Sequence, residues 1–220
     1  MQLRELHLQV ADLDALASFY STLVGEDAVK LVENQLEIQV GRSSLTFTRA
    51  NKPLNGVYHF AINIPENQFE QAKTWLARRA AFIADDTGET SFYSENWDAH
   101  MVYFYDPAGN ILELIARHTL DNASDAPFSE TSLLSISEIG IAADDVAAQV
   151  DNLGTRTGAQ PYRWSGSSVF APVGDAEGLF IVVQHGREWA PDTGQTAKHL
   201  PVVATLHTGK EIVKLSFPKH

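Results

Sequence analysis

A chain of 220 residues with no cysteine and a formal net charge of −12 excludes several classes of function. Disulfides, thiolate metal sites and cysteine nucleophiles all require cysteine, and the excess of acidic residues argues against nucleic acid, whose phosphates attract Lys and Arg. No apolar run is long enough to span a bilayer, and the first ten residues lack the apolar core of a signal peptide, so we expect a cytoplasmic protein.

The first predicted unit is a strand, a helix and three short strands. In "ELHLQVADLDALASFYSTLVG" an alternating strand leads to Asp12, a good N-cap, and Gly25 ends the helix. The apolar residues at helical spacing between them are Leu13, Leu16, Phe19 and Leu23. Strands are predicted to follow over 28–33, 35–40 and 44–49.

The same plan occurs twice more. A second unit begins at "HFAINIPENQFEQAKTWL", and a third at "EIGIAADDVAAQVDNLG", where Gly154 is predicted to end the helix. Glu5, His59 and Glu138 hold the same register, because each lies seven residues before the start of its helix. The second unit is predicted to continue with strands over 82–84, 91–94, 100–105 and 111–116.

The rest of the chain supplies a linker and an ending. "HTLDNASDAPFSETS" has the composition of a linker and indicates a boundary near residue 125, whereas "LPVVATLHTGKEIVKLSF" predicts a hairpin around Thr208 and Gly209. We therefore predict an α+β fold in which βαβββ units pair into an open, barrel-like cleft with helices outside. Residues 1–125 are expected to pair units one and two around the cleft, and residues 126–220 to hold a third, degenerate unit and the hairpin.

One acidic residue suggests where chemistry lies. In "DPAGNILELIARH" the turn residues precede a strand whose alternation puts Glu113 on one face with Ile111 and Ile115. If that face is covered, an ionised Glu113 needs a positive partner, because an unpaired buried charge is very costly. The alternative is that this face of the strand is exposed to solvent.

The second unit resembles the vicinal oxygen chelate superfamily, which includes glyoxalases, bleomycin-resistance proteins and extradiol dioxygenases. The resemblance rests on His59 in the opening strand, on the turn "DPAGN" at 106–110, and on Glu113 in the closing strand. It implies that His59 and Glu113 are metal ligands. Without it, a core imidazole satisfied by hydrogen bonds is the usual interpretation of His59.

Departures from the family pattern leave the third ligand open. The resemblance places Glu5 at the ligand position of the first unit, His7 lies on the same strand face, and Thr46 stands where that unit would supply another ligand. The third unit ends in Val182 and is therefore expected to bind no metal. We predict a divalent ion (Mn, Fe, Zn or Ni) held by His59, Glu113 and Glu5, with His7 as the alternative to Glu5.

Other side chains are predicted to act near this ion. His100 and Tyr103 are candidate catalytic residues, with His100 an acid or base near its natural pKa, and Arg187 is a candidate clamp for a substrate carboxylate. Aromatic residues of the same region could line the cleft: Phe92, Tyr93, Trp97, Tyr103 and Tyr105. The remaining histidines are interpreted as surface or structural residues: His118, His185, His199, His207 and His220.

Two functions fit these features. The first is a metal-dependent lyase, isomerase or dioxygenase that acts on a small substrate with adjacent oxygens, as the resemblance implies. The second is a metal-free protein that sequesters a small, cationic molecule by aromatic contacts, as bleomycin-resistance proteins do. Either function requires a small-molecule partner rather than nucleic acid or a membrane, and a homodimer is compatible with both.

Overall fold

The computed structural model describes residues 1–218, so the interpretation of His220 as a surface or structural residue lies outside the described residues. The helices are α1 (Leu13–Val24), α2 (Phe69–Leu76) and α3 (Val146–Thr157). The strands are β1 (Gln2–Val10), β2 (Val29–Val32), β3 (Gln35–Val40), β4 (Ser43–Arg49), β5 (His59–Ile64), β6 (Phe92–Ser94), β7 (Ala99–Tyr105), β8 (Ile111–Arg117), β9 (Ser135–Ala143), β10 (Phe170–Asp175), β11 (Gly178–Gln184), β12 (Val202–His207) and β13 (Ile212–Phe217).

Helices α1 and α3 begin where the sequence predicts, whereas α2 begins at Phe69 and not at residue 66. Asp12 accepts a hydrogen bond from the Asp14 amide at 3.0 Å, and Asp145 caps α3 in the same way through the Ala148 amide at 2.9 Å. The prediction that α3 ends at Gly154 is wrong. The helix continues to Gly158, whose φ of 71° lies in the left-handed region that ends helices most readily.

The fold is α+β, as predicted, and within residues 1–218 its strands form two sheets. The smaller sheet has the order β13-β12-β1-β4-β3-β2, and the larger, which curls into a half-barrel, has the order β10-β11-β9-β5-β8-β7-β6. The predicted C-terminal hairpin is β12–β13, which joins the smaller sheet through antiparallel pairing of β12 with β1.

The pairing of the units differs from the expected one. Strand β5 of the second unit pairs with β9 of the third, so these two units share the larger sheet, while the first unit shares its sheet with the hairpin. The division into a paired block over 1–125 and a separate third unit is therefore not the arrangement of the strands. Burial patterns give the reason: β5 and β9 are buried on both faces, whereas β1 alternates between buried and exposed residues.

The main core lies between the two sheets and the helices. It contains Leu6 and Phe47 from the smaller sheet, and Phe60, Leu112 and Ile139 from the larger one. A second apolar cluster lies on the opposite face of the larger sheet, where Ile111, Ile115 and Tyr103 are buried. The larger sheet is therefore covered on both sides, and its second face can hold a site shielded from solvent.

Candidate metal centre and cavity

Glu113 lies on the covered second face of the larger sheet, as strand alternation predicts. Leu112 and Leu114 of β8 point into the main core, whereas Ile111 and Ile115 belong to the second cluster. The Glu113 side chain is only 3% exposed, so the solvent-exposed alternative does not apply. A carboxyl group at this depth needs a counter-charge, a proton or a ligand.

His59 faces Glu113 from the neighbouring strand β5. Its Nδ1 donates to the Ile111 carbonyl oxygen at 3.3 Å, which leaves the lone pair of Nε2 directed at the acids. The Nε2 atom lies 3.7 Å from Glu113 Oε2 and 4.0 Å from Glu138 Oε2. Both distances are too long for hydrogen bonds, so the three groups converge without bonding to one another.

Glu138 is the second buried acid, and it comes from the third unit. Ala61 of β5 pairs with Glu113 on one side and with Glu138 on the other, so a small side chain separates the two carboxyl groups. His59, Glu113 and Glu138 offer ligand atoms that all lie within 4.8 Å of one another. The expectation that the third unit contributes nothing to a metal site therefore does not match the geometry.

Arg117 supplies a fixed positive charge beside this group. It lies on β8 on the same face as Glu113, is fully buried, and forms an ion pair with Glu138 Oε1. Its Nε donates to Asn63 Oδ1 at 3.3 Å, and its guanidinium carbon lies 5.2 Å from the centre of the Trp97 ring. Arg117 thus occupies one oxygen of Glu138 and leaves Oε2 facing His59.

Burial shifts the pKa of each of the three potential metal ligands. It raises the pKa of Glu113 well above the ordinary value, an effect that the charge of Glu138 increases and that of Arg117 opposes. Burial also raises the pKa of Glu138, against the opposing effect of Arg117, and lowers the pKa of His59 to about 4. Without a further cation, the site therefore favours a neutral imidazole and resists carrying two carboxylates.

The residues present fit a divalent metal ion. One imidazole and two carboxylates form a donor set suited to Mn, Fe, Zn or Ni. Ligands about 2.0–2.2 Å from one ion can be roughly 4 Å apart, which the His59 distances of 3.7 and 4.0 Å match. Among the described residues, Glu113 Oε1 has no hydrogen-bond partner. A bound metal ion or substrate could supply the contact that this buried oxygen lacks.

A cavity of about 350 Å³ opens onto these acids. Its walls are mainly apolar and aromatic, and they include Trp97, Met101, Tyr103, Phe170 and Trp189. Arg187, the predicted anion clamp, also lines the cavity, with its guanidinium carbon 5.3 Å from the centre of the Phe170 ring. Apolar walls with a few convergent polar groups are typical of small-molecule sites.

The third predicted ligand, Glu5, lies elsewhere. It belongs to β1 in the smaller sheet, where its side chain is 51% exposed and accepts a hydrogen bond from Thr205 Oγ1 at 2.9 Å. His7 lies on the same strand face, with Nε2 3.8 Å from Glu5 Oε2, and pairs across the sheet with Thr46. The ligand positions of the first unit are therefore not brought to His59, because the first unit pairs with the hairpin.

The two predicted catalytic residues, His100 and Tyr103, lie on opposite faces of β7. Tyr103 faces Glu113 across the β7–β8 pairing and lines the cavity, and burial together with the charges of Glu113 and Glu138 raises its pKa well above the ordinary value. His100 lies on the opposite face of β7, against Phe69 of α2 and 2.8 Å from His118 Nε2. A strand residue three positions from Tyr103 must point to the other side, so His100 is not placed to act in the cavity.

Sequence reasoning missed Arg117 and gave Glu138 no role, and it placed Trp189 in a capping loop, as "GREWAP" indicates, without predicting what that ring contacts. Arg117 follows Glu113 by four residues in one strand, so alternation alone places both on the same face. Glu138 had the correct register, but pairing of the third unit with the second was not expected. Trp189 packs on β9 at Gly140, where any side chain would collide with its ring, and the sequence gives no sign of that contact.

Comparison with known proteins identifies the fold. No family model and no curated protein matches the chain. Among solved structures, it is similar to a Bacillus subtilis protein provisionally named a dioxygenase, with a TM-score of 0.59, 14% identity and coverage of 83% of this chain and 63% of that one.

Two mutants of glyoxalase I from Zea mays are also similar. One has a TM-score of 0.57 at 13% identity, covering 98% of this chain and 93% of that one. The other has a TM-score of 0.52 at 15% identity, covering 83% and 66%. The chain thus spans less than two thirds of the length of the Bacillus subtilis protein and of the second mutant.

The described residues include no helix long and apolar enough to cross a membrane.

The repeated units, the curled sheet and the similarity to glyoxalase I agree with the motifs of the second unit. The chain therefore has the fold of the vicinal oxygen chelate superfamily.

Proposed function

We propose that this protein is a divalent-metal-dependent enzyme that acts on a small substrate with adjacent oxygens. One observation carries the proposal. At the base of the cavity, the unprotonated Nε2 of His59 and one oxygen each of Glu113 and Glu138 converge without a hydrogen bond between them. When both carboxyl groups are ionised, three such donors repel one another, and a cation between them would remove that repulsion.

His59, Glu113 and Glu138 would hold the metal, and they leave coordination positions free for substrate oxygens. When bound, a divalent ion supplies a Lewis acid that polarises those oxygens and stabilises negative charge that develops on them. This chemistry serves a lyase, an isomerase or a dioxygenase. The Bacillus subtilis and Zea mays structures carry dioxygenase and glyoxalase names, which support this range of reactions without choosing within it.

The other cavity residues have roles that follow from their chemistry. The Tyr103 hydroxyl is protonated at neutral pH, all the more so because its pKa is raised, and it can donate a hydrogen bond to a substrate oxygen. The aromatic walls exclude water and pack against a flat apolar group. Arg187 provides local positive charge for an anionic group, which a protein of net charge −12 otherwise repels.

Metal content tests the proposal. Protein purified without a chelator or a histidine tag is expected to contain about one transition metal ion per chain at this site, and His59→Ala or Glu113→Gln should remove it. Glu5→Gln is the matched control, because it changes an acid of the same register that lies on the smaller sheet. Loss of metal in Glu5→Gln, or its retention at this site in both cavity variants, would reject the proposed ligand set.

A metal-free binding protein is the second candidate, and Arg117 favours it. The guanidinium already neutralises one buried acid, so the fold does not depend on a metal for all of its charge balance. In that case no metal would be found at the two acids, and binding of cationic rather than anionic compounds would identify a sequestering protein. Cationic aromatic compounds should raise the thermal stability of a sequestering protein, since the two acids outnumber Arg117.

A further inference from the structure

A second group of potential ligands lies outside the cavity. Asp144 directly follows β9, His185 directly follows β11, and His199 precedes β12. Their ligand atoms all lie within 4.8 Å of one another on the protein surface. Sequence reasoning assigned these histidines no partner, and the function proposed above does not use them.

The positions of Asp144 and His185 are fixed by the larger sheet. Strands β9 and β11 are parallel and pair Ala143 with Gln184, and the His185 amide donates to the Ala143 carbonyl oxygen at 2.8 Å. The two residues that leave these strand ends are therefore held side by side. His199 joins them, with Nε2 3.0 Å from Asp144 Oδ1 and its ring stacked on that of His185 at 4.7 Å and 5°.

The cavity beside this group also contains hydrogen-bond donors without a partner among the described residues. Asp144 and His199 line a cavity of about 340 Å³ together with Gln149 and Asn152 of α3. Among the described residues, the amide nitrogens of these two side chains are buried and have no hydrogen-bond partner. Donors of this kind suit water or an anion that completes the coordination of a metal ion.

We propose that Asp144, His185 and His199 bind a divalent transition metal ion that holds the two ends of the capping loop together. We call this site the clip. The capping loop comprises residues 186–198, so His185 and His199 stand at its two ends. Two imidazoles and one carboxylate form a donor set that Zn, Ni, Cu or Fe accepts. The loop carries Arg187 and Trp189, which line the main cavity, so the clip would fix the wall of that cavity.

The backbone supports such a role for the loop. Within it, the Gly186 amide donates to the Ala197 carbonyl oxygen at 2.8 Å, and the Trp189 amide donates to that of Gln195 at 2.9 Å. The two halves of the loop are thus joined by backbone hydrogen bonds, and the base of the loop lies at His185 and His199. A metal ion bound there favours the closed loop, because His185 and His199 could not both stay bound to the ion if the two ends of the loop moved apart.

Zinc stoichiometry provides the first test. After removal of metal, wild-type protein dialysed against Zn²⁺ is expected to bind one ion more per chain than His185→Ala or His199→Ala, and His207→Ala, a control histidine on β12, should match the wild type. Equal zinc content in the wild type and both loop variants would overturn the clip. His59→Ala tests the main site separately, so failure of one site is distinguishable from failure of the other.

Limited proteolysis provides a readout that other zinc sites do not move. Trypsin can cleave after Arg187 and Lys198, both within the capping loop. Zn²⁺ is expected to slow this cleavage at least about tenfold in wild type and in His59→Ala, since cleavage requires the loop to open. It should have no effect in His199→Ala. An equal effect of Zn²⁺ in wild type and His199→Ala, or none in either, would contradict the proposal.

Discussion

The smaller and larger sheets place an acid at the same register of the repeat but give it opposite surroundings. Glu5 on β1 has a side chain 51% exposed and accepts a hydrogen bond from Thr205. Glu138 on β9 has a side chain 2% exposed and pairs with the buried Arg117. The comparison teaches that the covering of a sheet face, and not the repeat register, decides whether an acid needs a counter-charge.

The cover itself comes from parts of the chain outside the repeat. On the larger sheet, the capping loop lays Trp189 on Gly140 of β9 and closes one side of the cavity. On the smaller sheet, the C-terminal hairpin extends the edge at β1 and leaves the face of Glu5 open. Of the following changes, the first and the third compare a covered position with an exposed one, and the second tests the contact that covers the larger sheet.

The largest effect is expected from Arg117→Met. Removing this cation leaves Glu138 buried without its partner, which should lower the free energy of unfolding by about 3–5 kcal/mol. The control Arg42→Met breaks the exposed ion pair with Glu177 and should cost no more than about 1 kcal/mol. Urea unfolding followed by circular dichroism measures both losses, and equal losses would contradict the contrast between the buried and the exposed ion pair.

A smaller loss is expected from Gly140→Val. The new side chain would collide with the Trp189 ring, and overpacking of this kind typically costs about 1–3 kcal/mol. In a Trp189→Leu background the same substitution should cost clearly less, because the ring that it meets is gone. A double-mutant cycle by urea unfolding tests the contact. Additive losses would show that Trp189 is not what excludes a side chain at position 140.

The third difference depends on pH and disappears in acid. Because burial raises the pKa of Glu113 above its ordinary value of 4.5, the contribution of Glu113 to the stability of metal-free protein should be fully present below that pH and be lost as the pH rises through the folded-state pKa. Glu113→Gln removes this loss, so its advantage over wild type should grow with pH.

Chelator-treated protein unfolded in urea at a series of pH values measures this advantage. The exposed control Glu5→Gln should stay within about 0.5 kcal/mol of wild type throughout. A Glu113→Gln variant that is less stable than wild type at neutral pH would show that the carboxylate is compensated by the protein alone.

Much of this fold follows from local pattern. The N-caps at Asp12 and Asp145 and the hairpin at Thr208 were predictable, because hydrogen bonds within a few residues decide them. The end of α3 was not, since a glycine at 154 costs a helix only about 1 kcal/mol and tertiary packing can outweigh that. For the site, alternation predicted the face on which Glu113 lies and the register of the repeat singled out His59, but Glu138 and Glu5 were equivalent by register.

The sequence by itself determined the repeated units, the strand faces and the demand of Glu113 for a partner, since period-two alternation and turn chemistry act over short distances. Only the tertiary structure decided which units pair, and therefore that Glu138 and Arg117, rather than Glu5, surround the buried acid. The physical reason is that opening strands with the same register can all form the same backbone hydrogen bonds. Burial of both faces of β5 and β9, summed over many distant side chains, selects one pairing among them.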